Sequence, residues 1–304
     1  MLAALVKECG LERQMPSGNM LDIRNLVKIY PRRRSLSAEG DFPTGSFVLQ
    51  TGKDIPFWKN RSLKSGNIVL SGINLSLDKG DRLALVGASA SGKSTLAKII
   101  LGLEPISVGE IFYRGEKICY GHKKSKNGAL KKLREETGLI LQDPRSSFDP
   151  RMDMVSSVAE PLWGRQNIET AKEAAEELLD LVGLDSRYCK SYPHQLSGGQ
   201  LQRAAIARAM VSGPKLLIAD EMLSALDPGR RKEILDLFTD TIIKRPDSLI
   251  FIAHDLTAVK YLCNKIAVIN HGEIVEYGDI SLVLSKPQHP YTLQLVQADA
   301  ALNI

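Results

Sequence analysis

Leu83-Ala84-Leu85-Val86-Gly87-Ala88-Ser89-Ala90-Ser91-Gly92-Lys93-Ser94-Thr95 is the stretch that decides the fold. Leu83 to Val86 is a continuous apolar run, as expected of a strand buried on both faces of a parallel sheet. A glycine-rich turn follows, and the pattern predicts a helix from Lys93 to Leu101. Strand, turn and helix in this order read as a phosphate-binding loop. Successive backbone N–H groups from Gly87 to Thr95 wrap the phosphates, and the helix N-terminus adds a favourable partial charge. Lys93 is expected to reach the β/γ oxygens, and the Ser94 hydroxyl to ligate Mg²⁺. With glycine near 7% of residues, Gly-x-x-x-x-Gly-Lys-Ser arises by chance in on the order of 1% of chains this long.

Three further apolar runs read as buried strands: Leu139-Ile140-Leu141, Leu216 to Ala219 and Leu249 to Ala253. Each delivers a polar residue at its carboxyl end, namely Gln142, Asp220 and His254, where ligands of open α/β sheets sit. Upstream, Ile23 to Ile29 reads as a strand ending at Tyr30-Pro31. A Pro/Gly/Ser-rich basic stretch, about 31–66, reads as a hairpin enlarged by a partly mobile insertion. Ile68 to Leu77 alternates apolar and polar residues like an antiparallel strand, and Lys79-Gly80-Asp81 makes a turn. Residues 143–214 are mainly helical in character. Ile168 to Leu181 carries Ala171, Ala174, Ala175, Leu178 and Leu179 at helical spacing, with Gly183 as a stop. Strands at Ile266–Ile269 and Glu273–Tyr277 precede a short helical C-terminus. The expected organisation is a tail (1–20), an α/β core (21–142 and 215–278), an inserted helical subdomain (143–214) and a short extension (279–304).

The 304 residues are 43% hydrophobic and 25% charged, with a formal charge of +5. This is an ordinary globular composition, and so mild a charge does not demand nucleic acid. Cys9, Cys119, Cys189 and Cys263 form no Cys-x-x-Cys pair, which speaks against zinc and for reduced, mostly buried thiols. No apolar run approaches the roughly 20 residues that span a bilayer. Arg32-Arg33-Arg34 and Lys123-Lys124 read as solvated charge.

Two more stretches carry chemistry. Asp220-Glu221 ends the run from Lys215 to Ala219; Asp220 would hold Mg²⁺ directly or through water, and Glu221 would polarise an attacking water as general base. Ser197-Gly198-Gly199 open a helix continuing Gln200 to Ala205, and their amides form a second anion site.

Leu196-Ser197-Gly198-Gly199-Gln200 downstream of the phosphate loop resembles the nucleotide-binding subunit of an ATP-binding cassette (ABC) transporter, over nearly all of residues 20 to 295. The resemblance implies an α/β fold: a P-loop NTPase (RecA-like) core with an antiparallel β-subdomain and an inserted α-helical subdomain. It implies ATP and Mg²⁺ as ligands. Gln142 would be the Q-loop residue on Mg²⁺ or its water, and His254 the H-loop contact to the γ-phosphate. Ser224-Ala225-Leu226-Asp227 would be the D-loop, and Tyr30 the aromatic on adenine. Ser197, Gly198, Gly199 and Gln200 would cover the ATP of a second ATPase subunit. Ala90 departs from the family, which usually has Gly there. The string Ala88-Ser89-Ala90-Ser91-Gly92-Lys93-Ser94 also resembles the loop of uridine kinases, a rival phosphotransferase reading that has no need of Leu196 to Gln200. A soluble ABC ATPase of DNA repair would need a long coiled coil, and none is present.

Gln142 to Arg151 (Gln-Asp-Pro-Arg-Ser-Ser-Phe-Asp-Pro-Arg) and His289-Pro290-Tyr291-Thr292 resemble the oligopeptide, dipeptide and nickel importers. Two membrane permease subunits and an extracytoplasmic substrate-binding protein are then the implied partners, without nucleic acid. The implied location is peripheral, on the cytoplasmic face of the inner membrane. Those subunits often continue into a Cys-rich tail, whereas this chain stops at Ile304. That leaves peptide against metal chelate open and suggests no iron–sulfur cluster.

Overall fold

The computed structural model describes residues 19–31, 66–118, 128–224, 228–239, 247–254 and 256–302. The expected tail up to residue 18 and most of the expected insertion lie outside these.

A six-stranded sheet forms the centre. Its members are β3 (Arg82–Val86), β6 (Thr137–Ile140), β7 (Leu216–Asp220), β8 (Ser248–Ala253), β9 (Lys265–Asn270) and β10 (Glu273–Asp279), in the order β10-β9-β3-β8-β7-β6. All neighbours are parallel except β10 with β9. Val86 pairs with Ala253, Asp220 with Ile252 and Ile140 with Ala219, so the carboxyl ends of β3, β8, β7 and β6 share one edge. Every residue of β8 is buried: Leu249 to Ala253 form the apolar run, and the Ser248 hydroxyl donates to the Asp78 carbonyl. Side chains alternate between two cores: Ala84, Val86, Leu249 and Phe251 enter one, Leu83, Leu85, Ile250 and Ile252 the other. Each fully buried leucine or isoleucine contributes about 1.5–3 kcal/mol.

The second core is capped by a four-stranded antiparallel sheet, β1 (Asn19–Pro31), β2 (Gly66–Asp78), β4 (Val108–Tyr113) and β5 (Glu116–Ile118), in the order β2-β1-β4-β5. β1 starts at Asn19, ahead of the expected core boundary, and Met20 is buried. Between the sheets lies helix α1 (Lys93–Ile100), burying Leu96, Ala97, Ile99 and Ile100. The sequence pattern carries no assignment for β4, β5 or α2 (Gly128–Glu136). Glu136, at the end of α2, joins the layers: it accepts from the Tyr113 hydroxyl (2.8 Å), Arg114 and the Lys215 ammonium (3.1 Å). Burial alone would raise its carboxyl, but these three donors outweigh burial and hold it below the ordinary glutamate value.

The first core is covered by α3 (Met154–Ala159), α4 (Ile168–Leu181) and α5 (Gly198–Met210). Asp153 and Asn167 cap α3 and α4, each side chain accepting a backbone N–H of the first turn. Gly183, at φ 71°, lies just beyond α4, where the sequence places a stop. Helices α6 (Pro228–Leu237), α7 (Leu256–Leu262), α8 (Ile280–Ser285) and α9 (Pro290–Leu302) complete the chain.

Candidate active site

The turn from β3 into α1 is held by close approach. A Cβ on Gly87 would lie 2.2 Å from the Ile269 carbonyl oxygen; one on Gly92, at φ 108°, would lie 2.6 Å from Leu70 Cδ2. Ala90 takes φ 63°, the left-handed conformation that glycine accepts and alanine resists. Ala88, Ser89 and Ala90 form an exposed crest, whereas Ser91 and Lys93 are buried beneath it and Thr95 is half-buried. Lys93 is 4% exposed, and its Nζ donates to the carbonyls of Gly87 and Ala88, each at 2.8 Å. Burial pushes its pKa down, and the charges of Glu221 and Asp220 partly oppose the shift. The buried Ser91 Oγ has no hydrogen-bond partner. A buried cation and an unmet hydroxyl in one loop fit an anionic ligand that enters the cradle.

The other strand ends converge here. Ser94 Oγ donates to Asp220 Oδ1 at 3.4 Å. Asp220 is raised by burial, with the neighbouring Glu221 charge adding to it, while Ser94 and Lys93 oppose. A divalent cation would relieve that burden, and Ser94 with Asp220 supplies the hard oxygen ligands it prefers. Among the described residues no group of three or more His, Cys, Asp or Glu forms a metal cage. Mg²⁺ in nucleotide sites keeps waters and phosphate oxygens beside one or two protein ligands, a set that Ser94 and Asp220 would suit.

Glu221 stands one residue beyond β7 at φ 47°, its N–H donating to the Ile252 carbonyl at 3.0 Å. Its carboxylate is held at both oxygens: Gln142 Nε2 donates to Oε2 at 2.8 Å, and His254 Nε2 pairs with Oε1. The Ser224 hydroxyl donates to the Glu221 carbonyl at 2.8 Å. Asp227 lies outside the described residues. The expected residues thus meet in one neighbourhood: Ser94 is bonded to Asp220, Gln142 and His254 hold Glu221, and Lys93 lies within reach of the charges of both carboxylates. The direct grip of Gln142 and His254 on Glu221 has no sequence signal, because nothing local marks which side chain each reaches.

Tyr30 is half-buried and pairs with Asn67 across β1 and β2, two residues along from Lys28 opposite Leu70. Leu70 is the residue against which Gly92 packs, so Tyr30 lies a few residues along the β1–β2 ladder from the point where it meets the phosphate loop. The signature is elsewhere. Ser197 caps α5: its Oγ accepts from the Gln200 N–H at 3.3 Å, and its own N–H donates to Gln200 Oε1 at 2.8 Å. Ser197 and Gly198 are exposed, Gly199 and Gln200 half-exposed, and no hydrogen bond among the described residues joins them to the strand-end cluster. A cavity of about 320 Å³ lies apart from both, lined by Arg134, Leu139, Ser146, Arg165 and Arg208.

A profile of the family described as ABC transporter matches residues 70–224, from β2 through the phosphate loop, the signature and Ser224. The chain belongs to the ABC transporter family. It is 37% identical over 239 residues to the oligopeptide transport ATP-binding protein OppF of Lactococcus lactis subsp. lactis, covering 78% of this chain and 74% of that one. It is 39% identical over 243 residues to the oligopeptide transport ATP-binding protein OppD of Bacillus subtilis, covering 77% and 67%. The fold superimposes on a dimeric ATP-binding cassette in a post-hydrolysis state bound to ADP and Pi, with a TM-score of 0.66 at 24% identity over 86% of this chain and 99% of that one. It also matches cbiO1 from Clostridium perfringens, with a TM-score of 0.67 at 23% identity over 94% of this chain and all of that one. As an ABC family ATPase the chain has the P-loop core expected from its sequence, and the uridine-kinase reading gives way. No helix among the described residues is long and apolar enough to cross a membrane.

Proposed function

We propose that this ABC ATPase drives peptide import. Its strand-end cluster binds Mg²⁺-ATP, and a second cassette closes over it. The observation that carries the site assignment is the convergence of Lys93, Ser94, Gln142, Asp220, Glu221 and His254 from four strand ends. Lys93 and the amides from Gly87 to Thr95 hold the phosphates; Ser94, Asp220 and Gln142 hold Mg²⁺, which neutralises phosphate charge when bound. Glu221 takes the proton of the attacking water, with His254 orienting its carboxylate. Ser197 to Gln200 face the partner's ATP, and Ser224 with Asp227 line the seam. Tyr30 stacks on adenine.

The names of the relatives support peptide over nickel or metal-chelate cargo. Two membrane permease subunits and an extracytoplasmic binding protein complete the assembly, and the chain sits on the cytoplasmic face. The arginine-lined cavity between core and helical subdomain is a seat for permease segments. The test is ATP hydrolysis by the chain reconstituted in vesicles with its two permease subunits and binding protein. Stimulation by a peptide-loaded binding protein is expected; stimulation only by a nickel-loaded one would overturn the cargo assignment and leave the ATPase reading in place.

A further inference from the structure

Lys28 lies where β1 passes the phosphate loop, and the residue is only 5% exposed. Its Nζ donates to Glu104 Oε2 at 2.9 Å and to the Pro105 carbonyl at 2.8 Å, both in the segment leaving α1. The same Nζ stands 4.5 Å from the centre of the Tyr30 ring. The register of β1 on β2 shifts between Lys28 and Ile29, and the contact brings the ammonium against the aromatic face. An ammonium has three N–H donors; Glu104 and Pro105 take two, and the third is left for the ring. A methionine would fill the space without the cost of burying a charge, so packing alone does not account for lysine here.

We infer that Lys28 is a positioning residue for Tyr30, holding one face of the ring so that the other is presented to the base of the nucleotide. This rests on the reading of Tyr30 as the adenine-stacking residue. A cation against one face draws π density from the ring and leaves the opposite face electron-poor, suited to an electron-rich purine. Through Glu104 and Pro105 the same ammonium is tied to the chain leaving α1, whose first residue is Lys93. One ion thereby holds the base platform and the phosphate loop at a set spacing.

The test uses the full chain and two probes, Mg²⁺-ATP and Mg²⁺-tripolyphosphate, the latter having no base. Lys28→Met is expected to weaken ATP binding about three- to tenfold and leave tripolyphosphate affinity unchanged. Lys28→Arg keeps the cation and should restore ATP affinity to within about twofold. In a Tyr30→Leu background, Lys28→Met should cause no further loss. Equal weakening of both probes, or an undiminished effect in the Tyr30→Leu background, would make Lys28 merely structural and overturn the inference. Tyr30→Leu binding ATP like the parent would instead overturn the assignment of Tyr30. If Lys28→Met does not fold, Glu104→Gln loosens the ammonium without removing it and should give a smaller loss with the same dependence on the base.

Discussion

The strand-end cluster and the signature are both anion sites built from backbone and small polar side chains, yet they are finished differently. In the cluster Lys93 is bonded to two carbonyls, Glu221 is gripped at both carboxylate oxygens, and Ser94 reaches Asp220. At the signature the Ser197 and Gln200 side chains each accept the other's backbone N–H, and the helix N-terminus faces solvent. On the proposed function, the first region carries the catalytic machinery and offers one face to a nucleotide, and the second offers another face without machinery. The contrast is the one expected if one chain holds two halves of different sites.

The sharpest way to break this division is at Glu221. Glu221→Gln keeps the shape but removes the base, so turnover should fall about 10²- to 10⁴-fold while ATP affinity stays within about twofold of the parent. Size-exclusion chromatography should show the substituted chain accumulating as a closed pair with ATP. Turnover at the parent rate would remove Glu221 from the role of base.

Lys93 acts on the ground state instead. Lys93→Ala deletes a charge-assisted phosphate contact of about 1.5–3 kcal/mol, so a nucleotide titration should show ATP binding about 10- to 100-fold weaker, with no trapped pair. Unchanged affinity would mean that this loop does not hold the nucleotide.

Ala90 is the smaller effect within the same loop. Its φ of 63° costs on the order of 1 kcal/mol against glycine. Where wrapping the phosphates deepens that strain, Ala90→Gly should tighten ATP binding by up to about fivefold in the same titration. Weaker binding would show that the strain account is wrong.

The smallest effect is on stability. The Asp220 carboxyl is raised above its ordinary value, so its contribution is present at acid pH and lost as pH rises through the raised value. At neutral pH the nucleotide-free chain thus carries a penalty that Asp220→Asn removes. Its melting temperature without nucleotide should rise on the order of 1–2 °C, solvent screening trimming the gain. Stabilisation by Mg²⁺-ATP should shrink. A variant that melts lower without nucleotide would contradict the burial argument.

Much of the site is legible in sequence because each motif sits at a strand end and needs particular residue types: glycines where the backbone is crowded, lysine for phosphate, carboxylates for cation and water. The buried runs at β3, β7 and β8 are equally plain, since strands covered on both faces cannot tolerate polar residues. β4 and β5 are not plain. Val-Gly-Glu-Ile-Phe-Tyr is short, and its Gly109 marks a close approach to Asn25 and Leu26 that only the folded sheet reveals. Glutamate at φ 47° in position 221, and the ammonium of Lys28 beneath Tyr30, arise from tertiary packing and leave no local pattern.

The central claim, that a working site takes its phosphate loop from one chain and its signature from another, is tested most directly by mixing two inactive variants. Ser197→Arg places bulk and charge at the partner's ATP while sparing the chain's own loop; Lys93→Ala does the reverse. Each alone should hydrolyse little ATP. Mixed in equal amounts they should recover about a quarter of parent turnover, since roughly half the pairs are mixed and each mixed pair holds one whole site of two. No recovery from the mixture, or hydrolysis surviving in Ser197→Arg alone, would place catalysis within a single chain and contradict the account.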